Sequence, residues 1–244
     1  MLETHQDPDR TTVGWEPPAF TGDVDPAARS RTTTCTELKI APTKSPKSTG
    51  DRFARVVENV LTEGECASLI AAVNTKGFTP VLLNAGGGNQ QLVRSVRDGH
   101  RVIVDSSEVT DWLLAVLAPH LPQTLAGGGE EGKALVDLNE RCRFLCYTPG
   151  QYFAPHMDGS YARPRGHSDH GAVSKVTLQL YLHDVPRSHG GSTTFVRGGT
   201  GDGDDIVCQP KAGSVLLFTQ NLLHEGAQLH SGLKYTMRTE AMYK

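Results

Sequence analysis

The chain has 244 residues, 37% of them hydrophobic and 21% charged, with a formal net charge of −3. That length can bury a sizeable core in one large domain, and a near-neutral charge gives no electrostatic ground for a nucleic-acid partner. No apolar run approaches the roughly 20 residues of a membrane span, and the start MLETHQDPDR lacks the basic, then apolar, pattern of a secretory signal. A cytoplasmic location, or a nuclear one, is expected. The five cysteines, an odd number, are expected to be free thiols in a reducing compartment.

Residues 1–50 are rich in Pro, Thr, Asp, Ser and Arg without sustained apolar periodicity, and read as a poorly ordered or surface-hugging leader. Residues 51–244 read as one domain. FARVVENVL supplies a first strand. Thr62 and Glu65 then form a capping box, a hydroxyl at the N-cap and a carboxylate three residues on. The helix it opens, over about 63–75, places Cys66, Leu69, Ile70 and Val73 on one stripe, and Gly77 stops it. LLNAGGGNQQLVRS reads as a glycine-rich loop, either a plain connection or a segment that approaches a substrate. RVIVD is a strand and EVTDWLLAVLAPHLP an amphipathic helix ended by Pro122, while AGGGEEGKA reads as a flexible connection.

From Leu138 the pattern changes to short strands separated by Gly and Pro, over 141–147, 151–156, 174–182, 192–196, 205–208, 213–219 and 232–242. Two helices before a strand-rich half predict an α+β, mainly β fold. It is a double-stranded β-helix, a form of jelly roll, supported by N-terminal helices and with its core from about residue 138. Cys142 and Cys146 share a face of one strand and read as buried small hydrophobes.

The chemistry concentrates in RCRFLCYTPGQYFAPHMDGSY, residues 141–161. His156 and Asp158 stand two apart, so at an extended strand end they project side by side. A second histidine from a distant strand completes a two-His, one-carboxylate face, which leaves three open positions on six-coordinate Fe(II). His224, after GSVLLF and before Glu225-Gly226, supplies it. Lys234, ten residues further, can grip the far carboxylate of an acid co-substrate on the iron. Lys234, Thr236 and Arg238 alternate onto one face, so two cations point toward one cavity. A lysine buried there without a partner is costly, and a bound dianion explains it. His167 and His170, in RGHSDHG, read as lid or solvent residues. The Asp-rich 197–205 loop lacks the ordered ligand spacing of a calcium site.

The ordered set YTPGQYFAPHMDG, TLQLYL, GGSTTF, PKAGSVLLF, HEG and LKYTMR resembles the Fe(II)/2-oxoglutarate-dependent dioxygenases, specifically their prolyl-4-hydroxylase-like branch, over about residues 53–244. The resemblance implies the jelly-roll fold, His156, Asp158 and His224 as metal ligands, and Fe(II), 2-oxoglutarate and O2 as cofactors, with ascorbate as a stimulant. It points Tyr147 and Tyr181 into the barrel, Tyr181 beside Lys234 at the distal carboxylate of 2-oxoglutarate. Core packing is the alternative for either tyrosine. Arg143 shares Tyr147's face by period two and is placed to reach co-substrate or substrate. Arg238 is placed to meet the co-substrate's inner carboxylate or an acidic group on the substrate.

The activity so implied is hydroxylation of an aliphatic C–H in a prolyl or amino-acid-like substrate, peptide or free small molecule, with release of succinate and CO2. A natural-product or other small-molecule oxygenase is the alternative enzyme reading. A metal-binding jelly roll without turnover is the alternative of another class. Asp158 argues against a halogenase, in which a small residue frees a position for chloride. Loops 159–173 and 84–89 border the mouth and set specificity. Arg163 and Arg165 either pair with an anionic group there or are solvated. The sequence names neither the substrate nor an oligomeric state.

Overall fold

The computed structural model describes residues 32–40, 52–86, 89–127, 130–196 and 205–244. Its strands before the first helix are β1 (Thr34–Glu37) and β2 (Ala54–Glu58). Helix α1 (Glu63–Asn74) follows, then β3 (Thr79–Pro80), β4 (Leu83–Gly86), β5 (Asn89–Gln91), β6 (Arg97–Asp98) and β7 (His100–Asp105). Helix α2 (Ser107–Leu117) precedes β8 (Thr124–Gly127), β9 (Glu130–Leu138), β10 (Arg141–Tyr147) and β11 (Tyr152–His156). The last strands are β12 (Val173–Tyr181), β13 (Thr193–Phe195), β14 (Ile206–Cys208), β15 (Val215–Thr219), β16 (His224–Gly226) and β17 (Lys234–Tyr243).

Two antiparallel sheets face each other. The major sheet runs β1-β2-β15-β12-β17-β10-β7-β3, with the β8–β9 hairpin attached through β17; the minor sheet runs β14-β13-β16-β11-β6. Period two divides every major strand between two jobs. On β15, Val215 and Leu217 join the large core beneath the helices, whereas Leu216 and Phe218 join the second core between the sheets. On β12, Val176, Leu178 and Leu180 face the helices and Tyr181 faces inward; on β10, Cys142 and Phe144 face the helices. Tyr147, Lys234 and Arg238 line a cleft between the sheets instead. The fold is the mainly β jelly roll that the strand pattern predicts.

Helix α1 starts as its capping box requires: Thr62 Oγ1 accepts from the Glu65 amide at 3.2 Å, and the Thr62 amide donates to Glu65 Oε2 at 2.7 Å. Cys66, Leu69 and Val73 bury its apolar stripe. All five cysteines are free. Gly213, at φ +76°, closes the approach of the chain to α1, because a Cβ there would lie 2.0 Å from the Leu61 carbonyl oxygen.

Several elements depart from the sequence reading. The described parts of AGGGEEGKA, residues 126–127 and 130–134, belong to the paired strands β8 and β9, and the glycine-rich stretch near residue 86 pairs as β4–β5. Glycines had masked pairing that the backbone supports. Residues 34–37, read as leader, form β1 on the edge of β2. The rest of that leader, and residues 197–204 of the Asp-rich loop, lie outside the described residues. His224 is on a strand of its own, β16, too short to show a period.

Candidate active site

Strands β11 and β16 pair with His156 opposite His224, so two distant histidines become neighbours on the minor sheet. Asp158 follows just past the end of β11. Ligand atoms of His156, Asp158 and His224 all lie within 4.8 Å of one another. Nε2 of His156 is 3.7 Å from Asp158 Oδ1, and Nε2 of His224 is 3.9 Å from Asp158 Oδ2. Each imidazole is turned by its other nitrogen: Nδ1–H of His156 donates to the Ala154 carbonyl at 2.8 Å, and Nδ1–H of His224 to the Leu222 carbonyl at 2.9 Å. Those bonds aim both Nε2 lone pairs at the carboxylate, the arrangement a metal needs from neutral imidazoles. Burial pushes His224 down to about 4, so it is neutral at pH 7.

Asp158 is held in place by residues of the major sheet. Thr177 Oγ1 donates to Asp158 Oδ2 at 2.6 Å, and Arg238 lies 3.1 Å from Oδ1. Burial opposes ionisation of this carboxyl, but Arg238, His156, His224 and Thr177 outweigh it and keep Asp158 far below the usual carboxylate range. The side chains around it pack the ligands rigidly. Phe153 stacks on His156 with ring centroids 3.5 Å apart, and Phe218 meets His224 edge-on at 4.6 Å. The donor set, two neutral imidazoles and one ionised carboxylate, fits a first-row divalent metal with open positions.

Above the triad lies an open cleft, lined by Arg97, Leu145, Tyr147, Phe153, Gln179, Thr193, Phe218, Glu225, Gly226, Lys234 and Arg238 beside the triad itself. Lys234 is 4% exposed, directly opposite Tyr147 in the β10–β17 register, with its ammonium 5.4 Å from the Tyr147 ring centroid. Among the described residues it meets no carboxylate. Burial pushes it down to about 8. Gly99 lets Tyr147 take this position, since a Cβ at residue 99 would come within 2.9 Å of the Tyr147 ring.

Of the residues expected at the co-substrate, Tyr147, Lys234 and Arg238 line the cleft; Tyr181 and Arg143 do not. Tyr181 is buried in the second core and its hydroxyl donates to Thr193 Oγ1 at 2.8 Å, so it supports the cleft wall from behind. Arg143 donates to Glu240 Oε1 at 2.8 Å; the same oxygen lies 3.5 Å from Arg238. Arg143 therefore braces Arg238 through a shared carboxylate. Arg163 is not free to meet a ligand: its guanidinium lies against Asp137, Glu140 and Asp169 and pins the 159–173 loop to β9. Arg165 is exposed, and His167 and His170 are outside the cleft lining. Sequence reasoning missed Arg97, Thr177 and Gln179. The inward period on β12 could have found the last two, given Tyr181.

Residues 142–239 match the 2OG-Fe(II) oxygenase superfamily. The matched stretch, which carries the triad, Lys234 and Arg238, is that of a 2-oxoglutarate-dependent Fe(II) oxygenase. The fold of the chain is that of the prolyl-4-hydroxylases. A Pseudomonas putida prolyl-4-hydroxylase superposes with a TM-score of 0.53 at 18% identity, covering 77% of this chain and 91% of that one. A Trichoplax adhaerens prolyl hydroxylase, solved with a peptide fragment of the hypoxia inducible factor oxygen degradation domain, gives 0.57 at 15% identity, covering 77% and 82%. No curated protein sequence matches significantly. The matched family uses Fe(II), 2-oxoglutarate and O2, and the His156, Asp158 and His224 set fits the metal. Among its described residues, no helix is long and apolar enough to cross a membrane.

Proposed function

We propose that the oxygenase hydroxylates an aliphatic C–H of a prolyl or amino-acid-like substrate, with succinate and CO2 as co-products. In this reading His156, Asp158 and His224 hold Fe(II), and Lys234 with Tyr147 holds the distal carboxylate of 2-oxoglutarate. Bound Fe(II) supplies oxidative decarboxylation of the co-substrate coupled to C–H oxidation. The observation that carries the reading is Lys234, a buried ammonium with no carboxylate partner among the described residues, opening on the cleft that the triad floors. Such a charge is stable only if an anion joins it.

The rest of the chain positions and protects. The Ala154 and Leu222 carbonyls fix both tautomers, so neither imidazole has to reorient when a metal arrives. Thr177 and Arg238 hold the Asp158 carboxylate ionised and oriented. Phe153, Phe218 and Leu145 keep the floor dry, which strengthens every charge contact inside it. Asp158 fills the position a halogenase leaves open, which supports hydroxylation as the outcome.

The test measures succinate formation from 2-oxoglutarate, with candidate peptides and free metabolites screened for stimulation, together with iron content. Wild-type protein should bind about one Fe(II) and form succinate, and His156→Ala should lose both. Wild-type-like iron content and turnover in His156→Ala would reject the ligand assignment. Metal and 2-oxoglutarate binding with no turnover on any substrate would leave a binding module instead.

A further inference from the structure

Three cations line the cleft, and two are accounted for. Arg238 is engaged by Asp158 and Glu240, and Lys234 lies at the buried end beside Tyr147. The third, Arg97, comes from β6 at the edge of the minor sheet, where it pairs in register with Phe153. Its guanidinium carbon sits 4.3 Å from the Phe153 ring centroid. His156 already stacks on that ring at 3.5 Å, so Arg97 must occupy the other face. The guanidinium is thus a single ring away from a candidate iron ligand and also approaches the Tyr147 phenol.

Among the described residues no carboxylate lies within ion-pair distance of Arg97, and its Nε, though buried, has no acceptor. The adjacent Asp98 turns away to Arg94 at 2.8 Å. Glu225 also lines the cleft, yet it forms no ion pair with Arg97. Arg97 is only half-buried, whereas Lys234 is 4% exposed. The deep cation suits the co-substrate, which must enter first. The shallow one faces what enters second. A planar five-donor fork that meets the Tyr147 phenol but no carboxylate has donors left for one from a ligand.

We propose that Arg97 binds a carboxylate of the oxidised substrate, so that the substrate is a free acid of amino-acid size rather than an internal residue of a peptide. The inference rests on the oxygenase reading above and narrows it. The short path from guanidinium to His156 leaves room for only a few bonds between the substrate's carboxylate and the carbon oxidised. An internal prolyl residue has no carboxylate to offer at that position and would leave the guanidinium without an anion, a loss of the kind that gives strong discrimination.

The experiment uses the full-length, Fe(II)-loaded protein and follows 2-oxoglutarate consumption with each of the L-amino acids, L-proline included, and with the matching carboxamides. Proline-containing peptides blocked at both ends form the third arm. At least one free acid should stimulate consumption, with its carboxamide weaker by about 10- to 150-fold in KM, as expected for a lost charge-assisted hydrogen bond. Arg97→Leu should remove that discrimination, raising the KM for the free acid by far more than the KM for 2-oxoglutarate. Arg97→Lys, which keeps the charge but not the fork, should fall between. Calorimetric titration of the best acid into the Mn(II)-substituted protein should give the same order without turnover. Stimulation by blocked peptides alone, equal response to acid and amide, or a matching loss of 2-oxoglutarate affinity in Arg97→Leu would each overturn the proposal. Failure of the oxygenase reading itself looks different, because wild-type protein would then show no uncoupled succinate formation.

Discussion

At the scale of single residues, Lys234 gives the site its pH dependence. Its folded value, about 8, lies below the ordinary 10.5 because burial disfavours the charge. Between those values the unfolded chain binds more protons than the folded one, so the ligand-free protein should gain stability as pH rises from about 8 toward 10.5. Binding of a dianion runs the other way, since only the ammonium form attracts it. The KM for 2-oxoglutarate should therefore climb roughly ten-fold per pH unit above 8, and Lys234→Met should raise it at neutral pH by about 10- to 150-fold and flatten the slope. Succinate assays from pH 7 to 9.5, beside thermal melts, read both signs. Thr177→Val, which removes the bond to Asp158 Oδ2, should weaken Fe(II) binding or activity by about 10- to 100-fold; iron retention after dialysis against a weak chelator measures it. The triad was legible because His156 and Asp158 are two apart on an extended chain and His224 and Lys234 keep a recognisable interval. Arg97 was not legible: only the pairing of β6 with β11 brings it to the cleft, and no local pattern encodes that register.

At the scale of elements, β17 organises the site. Lys234, Thr236, Arg238 and Glu240 are all buried or cleft-lining on its inner face, and Met237 and Ala241 join the core on its outer face. Glu240, 3% exposed, takes Arg143 on Oε1 and the Asn139 amide on Oε2 at 2.8 Å each, and stands behind Arg238. Removing one member of a buried charged set leaves the others uncompensated. Glu240→Ala should cost about 3–5 kcal/mol in chemical denaturation and slow turnover by loosening Arg238 against Asp158. Glu240→Gln, which keeps the shape and one acceptor, should cost less. Equal stability of Glu240→Ala and wild type would show that the two arginines find solvent instead. The period-two reading of β10, β12 and β17 succeeded because these strands are seven to ten residues long and each face buries a different kind of side chain. The three-residue β16 and the glycine-containing hairpins escaped it for the opposite reasons: one shows no period, and the others pair through backbone with little side-chain signature.

At the scale of the whole molecule, the question is where the folded unit starts. The sequence puts the first convincing strand after Asp51, whereas the major sheet continues back to β1. All four residues of β1 are exposed, so its pairing with β2 adds backbone hydrogen bonds but little apolar burial. Leu38 and Ile40 pack on the rim of the second core, and Glu37 pairs with Arg55 at 2.5 Å. A protein beginning at Thr49 loses these contacts and, among the described residues, nothing that lines the cleft. Two partly buried apolar side chains and an exposed ion pair together amount to about 1–3 kcal/mol, less than the 5–15 kcal/mol that typically holds a domain. The shortened protein should therefore fold, keep its Fe(II), and convert 2-oxoglutarate at the full-length rate. It should also leave β2 as a bare edge, an open template for pairing between molecules. Light scattering should accordingly show more concentration-dependent association than in the full-length chain. Loss of folding, or of uncoupled succinate formation at unchanged stability, would mean that residues 1–48 belong to the catalytic unit.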